Sequence, residues 1–263
     1  MAFNVNNFVI DHILRGIAFK SNTWDYMWSV NQLKDASLSC SSETTNATDM
    51  VGSTIMTFER SKTAQFTATN AVFDLNLLAA QMGTEKVIAS DSNLIATPAV
   101  ETITVKSGTT AYKLKHTPKD DVANIYVLNG DNTVGTAYSA SSTADATHFV
   151  YSAGSITVPT GSPAGTEYIV MYEYDSKEAV SVTNSAVNFP KSCKFLLEVL
   201  GADVCDPTTL IYAYIIFPNA KLSSAVDIGL ATDSGMPITI DCAQAYCDKE
   251  KKLFQIIVPN PEQ

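Results

Sequence analysis

The stretch TFERSKTAQFTATN, residues 57–70, decides how this chain is read. With a period of two, Thr57, Glu59, Ser61, Thr63, Gln65, Thr67 and Thr69 fall on one face. Phe58, Ala64, Phe66 and Ala68 fall on the other, interrupted by Arg60 and Lys62. Alternation of this kind marks a half-buried strand, because successive side chains leave a strand on opposite faces. The polar face is mostly hydroxyl and carries neither His nor Cys. It is a wall without obvious chemistry.

Before the wall, SSETTNATDMVGST (41–54) is polar and turn-forming, and it reads as a long loop of the kind that is usually functional. After it the period changes. NAVFDLNLLAAQMGTEK (70–86) predicts a helix with Asn70 as N-cap, an apolar face of Val72, Phe73, Leu77 and Ala80, and Gly83 as the stop. Upstream, Phe8, Val9, Ile10, Ile13, Leu14 and Ile17 are spaced for a short amphipathic helix in an N-terminal arm (1–20), with Gly16 weakening its end. Trp24, Tyr26 and Trp28 share one parity of a strand, which favours core packing or a subunit contact over the stacking of a ligand.

Residues 99–183 have another texture. Short runs such as TITVKSG, NIYVLNG, SITVPT and EYIVMYEYD alternate with Gly, Pro, Asp and Ser turns, which predicts a small all-β, Ig-like domain. Within it, LNGDNTVG reads as a hairpin turn through Gly130 and Asp131, and GTAYSASSTADATH as an exposed loop. Long strands then resume. LIYAYIIFP is continuously apolar, as for a strand covered on both faces. KLSSAVDIGL (221–230) alternates, and ITIDCAQAY pairs with KLFQIIV across CDKEK. The expected fold is therefore mainly β, a sandwich or barrel with one flanking helix. Its main domain spans 21–98 and 184–263, with 99–183 inserted.

The 263 residues suffice to bury a sizeable core. A net charge of −10 disfavours tight nucleic-acid binding, which draws on neutralised phosphates. Five cysteines (Cys40, Cys193, Cys205, Cys242, Cys247) form no short-spaced framework, so a reduced compartment is expected. Asp11 and Arg15 break the apolar run of the N-terminus, which reads as neither signal peptide nor membrane span.

No catalytic constellation emerges. His12, His116 and His148 are scattered, and each reads as exposed or hydrogen-bonded. Four residues separate Cys242 from Cys247, and eleven separate Cys193 from Cys205. Neither gap suits a closed zinc set, and Cys242 shares the apolar parity of Ile238 and Ile240. Asp120 and Asp121 occupy a charged turn. Phosphate loops, dinucleotide fingerprints and nucleophile elbows are missing. No cofactor or metal is expected, and the chain reads as one that works by assembling.

The succession SSETTNATDMVGSTIM, TFERSKTAQFTATN, AVFDLNLLAAQMGTEK resembles the tail tube protein of long-tailed bacteriophages. The closing IYAYIIFPNAKLSSAVDIGL…ITIDCAQAYCDKEKKLFQIIV is similar to that family's last strands. The resemblance implies a homo-oligomer of stacked hexameric rings in the virion tail, made in the host cytoplasm. Such a tube surrounds a tape-measure protein, is closed by a tail terminator, and later passes DNA without binding it specifically. Carried onto this chain, Glu43, Thr44, Asp49, Met50, Ile55 and Met56 belong to an inter-ring contact loop. Val72, Phe73, Leu77 and Ala80 belong to a helix that buttresses the sheet. Strand parity makes Glu59 and Asp227 candidates to face the lumen, with Phe58 and Phe66 packed inward. The alternatives are a capsid decoration or head-fibre subunit, a carbohydrate-binding adhesion module built on 99–183, and an enzyme with a cysteine nucleophile.

Overall fold

In the computed structural model, which describes residues 7–21, 23–232, 234–246 and 249–260 apart from the side chains of 206 and 207, the wall is a strand running Thr54–Asn70. From Ala64 onward its alternation is expressed in burial. Ala64, Phe66, Ala68 and Asn70 are buried, while Gln65, Thr67 and Thr69 face outward. The chain divides into two compact units, Met1–Lys86 with Val182–Gln263, and Val87–Ser181.

The first unit contains β1 (Phe8–Lys20), β2 (Tyr26–Val30), β3 (Leu33–Thr48), β4 (Thr54–Asn70) and α1 (Leu75–Gln81). The second contains β5 (Val87–Ile88), β6 (Ile95–Thr104), β7 (Ala111–Lys113), β8 (Asn124–Leu128), β9 (Val134–Ala140), β10 (His148–Ser152), β11 (Ser155–Thr157), β12 (Glu167–Ser176) and β13 (Val180–Ser181). The chain then returns to the first unit with β14 (Ser192–Asp203), β15 (Asp206–Leu222), β16 (Met236–Cys242) and β17 (Gln255–Ile257).

The first unit is one sheet in the order β2-β1-β14-β15-β16-β4-β3, with β17 also paired to β15. Its two end strands, β2 and β3, are joined by Asn31 and Gln32 alone, so the path returns on itself and the sheet curls into a barrel. The amide of Ala71 donates to the Gln32 carbonyl at 2.8 Å and ties that corner to the end of β4. Aromatic rings fill the interior. Phe66 on β4 lies 5.9 Å from Phe195 on β14 and 6.2 Å from Phe217 on β15, and Trp28 on β2 stacks on Phe195 at 5.5 Å. Curling removes most of the exposed edge that an open sheet would present.

Several local expectations change. Residues 8–20 form β1, not a helical arm, pairing β14 on one side and β2 on the other. Gly16, which weakens a helix, has a packing reason in the strand: a Cβ there would sit 2.6 Å from the Phe195 ring. The expected loop 41–54 is the far end of a long hairpin, β3 paired with β4 as far as Thr48 and Thr54. Its Thr residues suit a strand, and only Asp49–Ser53 turn. The Asp49 amide donates to the Ser53 carbonyl, the Gly52 amide to the Asp49 carbonyl, and Gly52 has φ +88.

The helix exists but is shorter than 70–86. Asp74, not Asn70, is its N-cap, its side chain accepting from the Asn76 and Leu77 amides. Gly83, with φ +67, follows its C-terminal end. KLSSAVDIGL is not a strand: β15 ends at Leu222, and 223–230 are irregular. β17 pairs with β15, not with β16. β16 takes only Ala220–Leu222 of the long β15, which leaves the Tyr214–Ile216 edge for β17. The CDKEK turn includes Cys247 and Asp248, which lie outside the described residues.

The second unit has its own core around Ile125, Phe149, Ile156 and Val170. Its main sheet follows β6-β12-β8-β9-β10-β11-β7. β8 and β9 form a hairpin across 129–133, where Asp131 accepts from the Thr133 amide and hydroxyl. Part of the expected loop GTAYSASSTADATH is strand β9, which runs parallel to β10. The unit begins at Val87, earlier than residue 99, because β5 and β13 pair antiparallel and hold its incoming and outgoing chain together.

Candidate functional site

The barrel interior is lined mainly by apolar side chains, and its outer face is divided. Across β16, β4 and β3 it is polar: Thr239 and Asp241, then Gln65 and Thr67, then Ser37 and Ser39 in cross-strand register. The Gln65 amide donates to the Asp241 carboxylate at 2.8 Å, and the Ser39 hydroxyl to the Gln65 carbonyl at 3.3 Å. Ser41 and Thr63 continue the row with a hydroxyl pair at 2.7 Å.

Across β1, β14 and β15 the same face is apolar. Ile17, Leu196 and Ile216 lie in one row, Leu200 and Tyr212 with His12 in another, and Val9, Ala202 and Leu210 in a third. Leu210 is 53% exposed and Tyr212 48%. Arg15 and Glu198 sit opposite one another within this half and form an ion pair whose hydrogen bond raises the arginine's pKa further. LIYAYIIFP is therefore covered on one face only, by Ile211, Ala213 and Phe217 inside the barrel. The outward half escapes detection in the sequence because both parities of that run are apolar.

The distal β3–β4 hairpin is the second feature. Beyond Cys40 and Ala64 both faces are exposed. Met50 is 105% and Val51 89% exposed at the tip, and Ile55 and Met56 follow on β4. Glu43, Thr44, Asp49, Met50, Ile55 and Met56 are thus brought together on one projecting element. Asp49 shapes the tip by accepting from the Val51 and Ser53 amides. Phe58 is not packed inward: it lies in the hairpin, 45% exposed, with the Arg60 guanidinium 5.6 Å from its ring centre. Glu59 is also on this free hairpin, opposite Thr44, where no interior decides its facing. Asp227 is exposed in the irregular segment after β15, so strand parity does not orient it.

The helix supplies the third feature. Leu77 is fully buried and Ala80 half-buried against the core, whereas Val72 and Phe73 precede the helix and are exposed. Between α1 and β2 runs a groove of about 710 Å³ floored by Met27, Trp28, Ala79, Ala80 and Leu222. The aromatic trio is split: Trp28 is in the core, Trp24 lies under the Lys194 ammonium at 3.3 Å, and Tyr26 hydrogen-bonds Ser29 at 3.1 Å.

Two of the described thiols lie in the core. Burial pushes the Cys193 thiol up to about 11 and the Cys242 thiol to about 12, so neither supplies thiolate near neutrality. Cys40 and Cys205 are exposed. His12 pairs with Asp11 and His148 with Asp145, while His116 stacks on Tyr174 at 3.9 Å. Among the described residues no cluster of His, Cys, Asp and Glu could hold a metal ion, and no helix is long and apolar enough to cross a membrane.

A curled sheet with a divided outer face and a bare projecting hairpin defines a building block, a β-barrel subunit of a larger structure. The chain belongs to the YomU/Tube protein family, whose model matches residues 8–256. It is a phage tube-like structural protein, an oligomeric component of a virion tail. No curated protein matches the chain.

Proposed function

We propose that this chain is the major subunit of a phage tail tube, in which hexameric rings stack around a tape-measure protein below a tail terminator and later conduct DNA. The division of the barrel's outer face carries this reading. The apolar half on β1, β14 and β15 meets a neighbouring copy, where burial of Leu196, Leu200, Leu210 and Tyr212 supplies the driving force. The polar half on β16, β4 and β3 faces the lumen, with Glu59 extending it along the hairpin.

Hydroxyl, amide and carboxylate groups predominate on that half, whose lysines Lys34 and Lys221 lie at its margins opposite Thr69 and Asp241, so phosphates find little cationic grip and DNA slides past. The hairpin residues Glu43 to Met56 reach the adjoining ring, and α1, through Leu77 and Ala80, props the barrel from behind. Residues 87–181 form a separate surface unit.

Sedimentation velocity of the purified chain over a range of concentrations tests this. The wild type should populate species of ring size and larger, and Leu210→Asp with Tyr212→Asp should hold it at the single chain while its far-UV spectrum is kept. A wild type that stays a single chain at every concentration would rule the reading out.

A further inference from the structure

The chain contains both halves of a plug and socket, and we propose that the β3–β4 hairpin tip of one copy lodges in the groove between α1 and β2 of another. The inference rests on the tube reading and adds the partner surface for the hairpin. Three observations carry it.

The first is apolar match. Met50 and Val51 stand almost wholly in solvent at the end of a rigid ladder, where monomers rarely leave large side chains grouped. The groove floor is apolar and partly aromatic, and its volume of about 710 Å³ lies within the roughly 300–1,000 Å³ typical of pockets that enclose a compact ligand. The second is charge. The hairpin beyond Cys40 and Ala64 carries Glu43, Asp49 and Glu59 against Arg60 and Lys62; both cations lie on the barrel side of Glu59, so its outer part from Glu43 to Glu59 holds acids alone. Lys20, Lys86 and Lys191 rim the groove against Glu85 alone. Lys20 makes a 3.9 Å contact with Asp25, with both side chains about two-thirds exposed. Opposed potentials of this kind steer encounter and fix register.

The third is reach. Pairing runs from Leu33–Asn70 to Thr48–Thr54 with register shifts after Lys34, Glu43 and Ala47, and nine residues at about 3.3 Å carry the tip roughly 30 Å beyond Cys40 and Ala64. A paired ladder of that length does not fold back onto its own barrel, so the occupant is a second copy. Because tip and groove are different patches, the contact is heterologous and each copy accepts one tip while offering another, which propagates assembly.

Mixed cysteine cross-linking of the full-length chain tests the inference. In a background with Cys40, Cys205 and Cys247 changed to Ser, one population carries Met50→Cys and the other Ala80→Cys. Oxidation of the mixture should give a two-chain product, at least ten times more than either population alone. Lys86→Glu with Lys191→Glu should weaken association at least tenfold at low salt, and an unchanged association would contradict the charge match. If sedimentation shows assembly but the mixture gives no product above the single populations, the plug-and-socket contact is wrong and the tube reading stands. If neither assembly nor product appears, both fall.

Discussion

The barrel makes a prediction that an open sheet cannot. Phe66 on β4 and Phe195 on β14 are separated along the sheet by β15 and β16. Three inter-strand steps of about 4.8 Å would hold their backbones roughly 14 Å apart on a flat sheet. Their rings are instead 5.9 Å apart, because the sheet curls and both point into its interior. Ring pairs at this separation couple by about 0.5–1.5 kcal/mol beyond the area they bury.

A double-mutant cycle with Phe66→Leu and Phe195→Leu isolates that coupling, since Leu keeps most of the apolar volume. Urea unfolding followed by tryptophan fluorescence is the assay. Both tryptophans, Trp24 and Trp28, lie in the first unit, and Trp28 stacks on Phe195, so the signal reports this core and not the other. The single substitutions should together cost about 0.5–1.5 kcal/mol more than the double substitution. Residues more than about 7–10 Å apart with no shared partner add to within roughly 0.3–0.5 kcal/mol. Additivity at that level would mean the rings do not meet, and the curled sheet would be refuted.

Other expectations follow from the same geometry. Gly83→Ala places a Cβ at φ +67 and 2.2 Å from the Phe189 backbone, and should cost at least about 1–2 kcal/mol in urea unfolding; an unchanged midpoint would remove Phe189 from that position. The thiols of Cys193 and Cys242 titrate near 11 and 12 when folded, against about 8.5 when solvated. The folded state therefore holds protons that the unfolded state releases. Stability should be level below about pH 8.5 and decline as pH rises toward 11–12, and Cys242→Val should flatten that decline; an identical slope would contradict the burial of this thiol. In the second unit, the Glu101 carboxylate accepts from the Lys115 amide at 3.0 Å and from the Tyr172 hydroxyl. Glu101→Ala should lower the stability of that unit by about 1–3 kcal/mol in calorimetry, by leaving the Lys115 amide and the half-buried Tyr172 hydroxyl without their acceptor, whereas no loss would show the contact to be dispensable.

Legibility in the sequence tracked burial. Residues 64–70 read correctly because one face is buried, so Ala64, Phe66 and Ala68 separate cleanly from Gln65, Thr67 and Thr69. The second unit's strands read well because turns punctuate them. β1 was ambiguous: Ile10, Ile13, Leu14 and Ile17 fit a helical spacing, and only pairing with β14 and β2 selects the strand. The β3 arm and the tip of the hairpin were hidden for the opposite reason. Neither face between Ser41 and Thr54 is buried, so no apolar period betrays them, and Ser and Thr serve turns and strands alike. Residues 221–230 alternate like a strand, yet 223–230 find no partner strand. The apolar half of the outer face was masked by LIYAYIIFP, whose two parities look the same. The groove joins β2, α1 and the ends of β1, β14 and β15, a juxtaposition that no local pattern encodes.

Cryo-electron microscopy of the assembled chain tests the central claim most directly. The account predicts hollow cylinders with six copies per turn, Gln65, Thr67, Thr239 and Asp241 lining the channel, and Tyr212 buried between copies. Solid fibres, or a channel walled by Leu200, Leu210 and Tyr212, would contradict it.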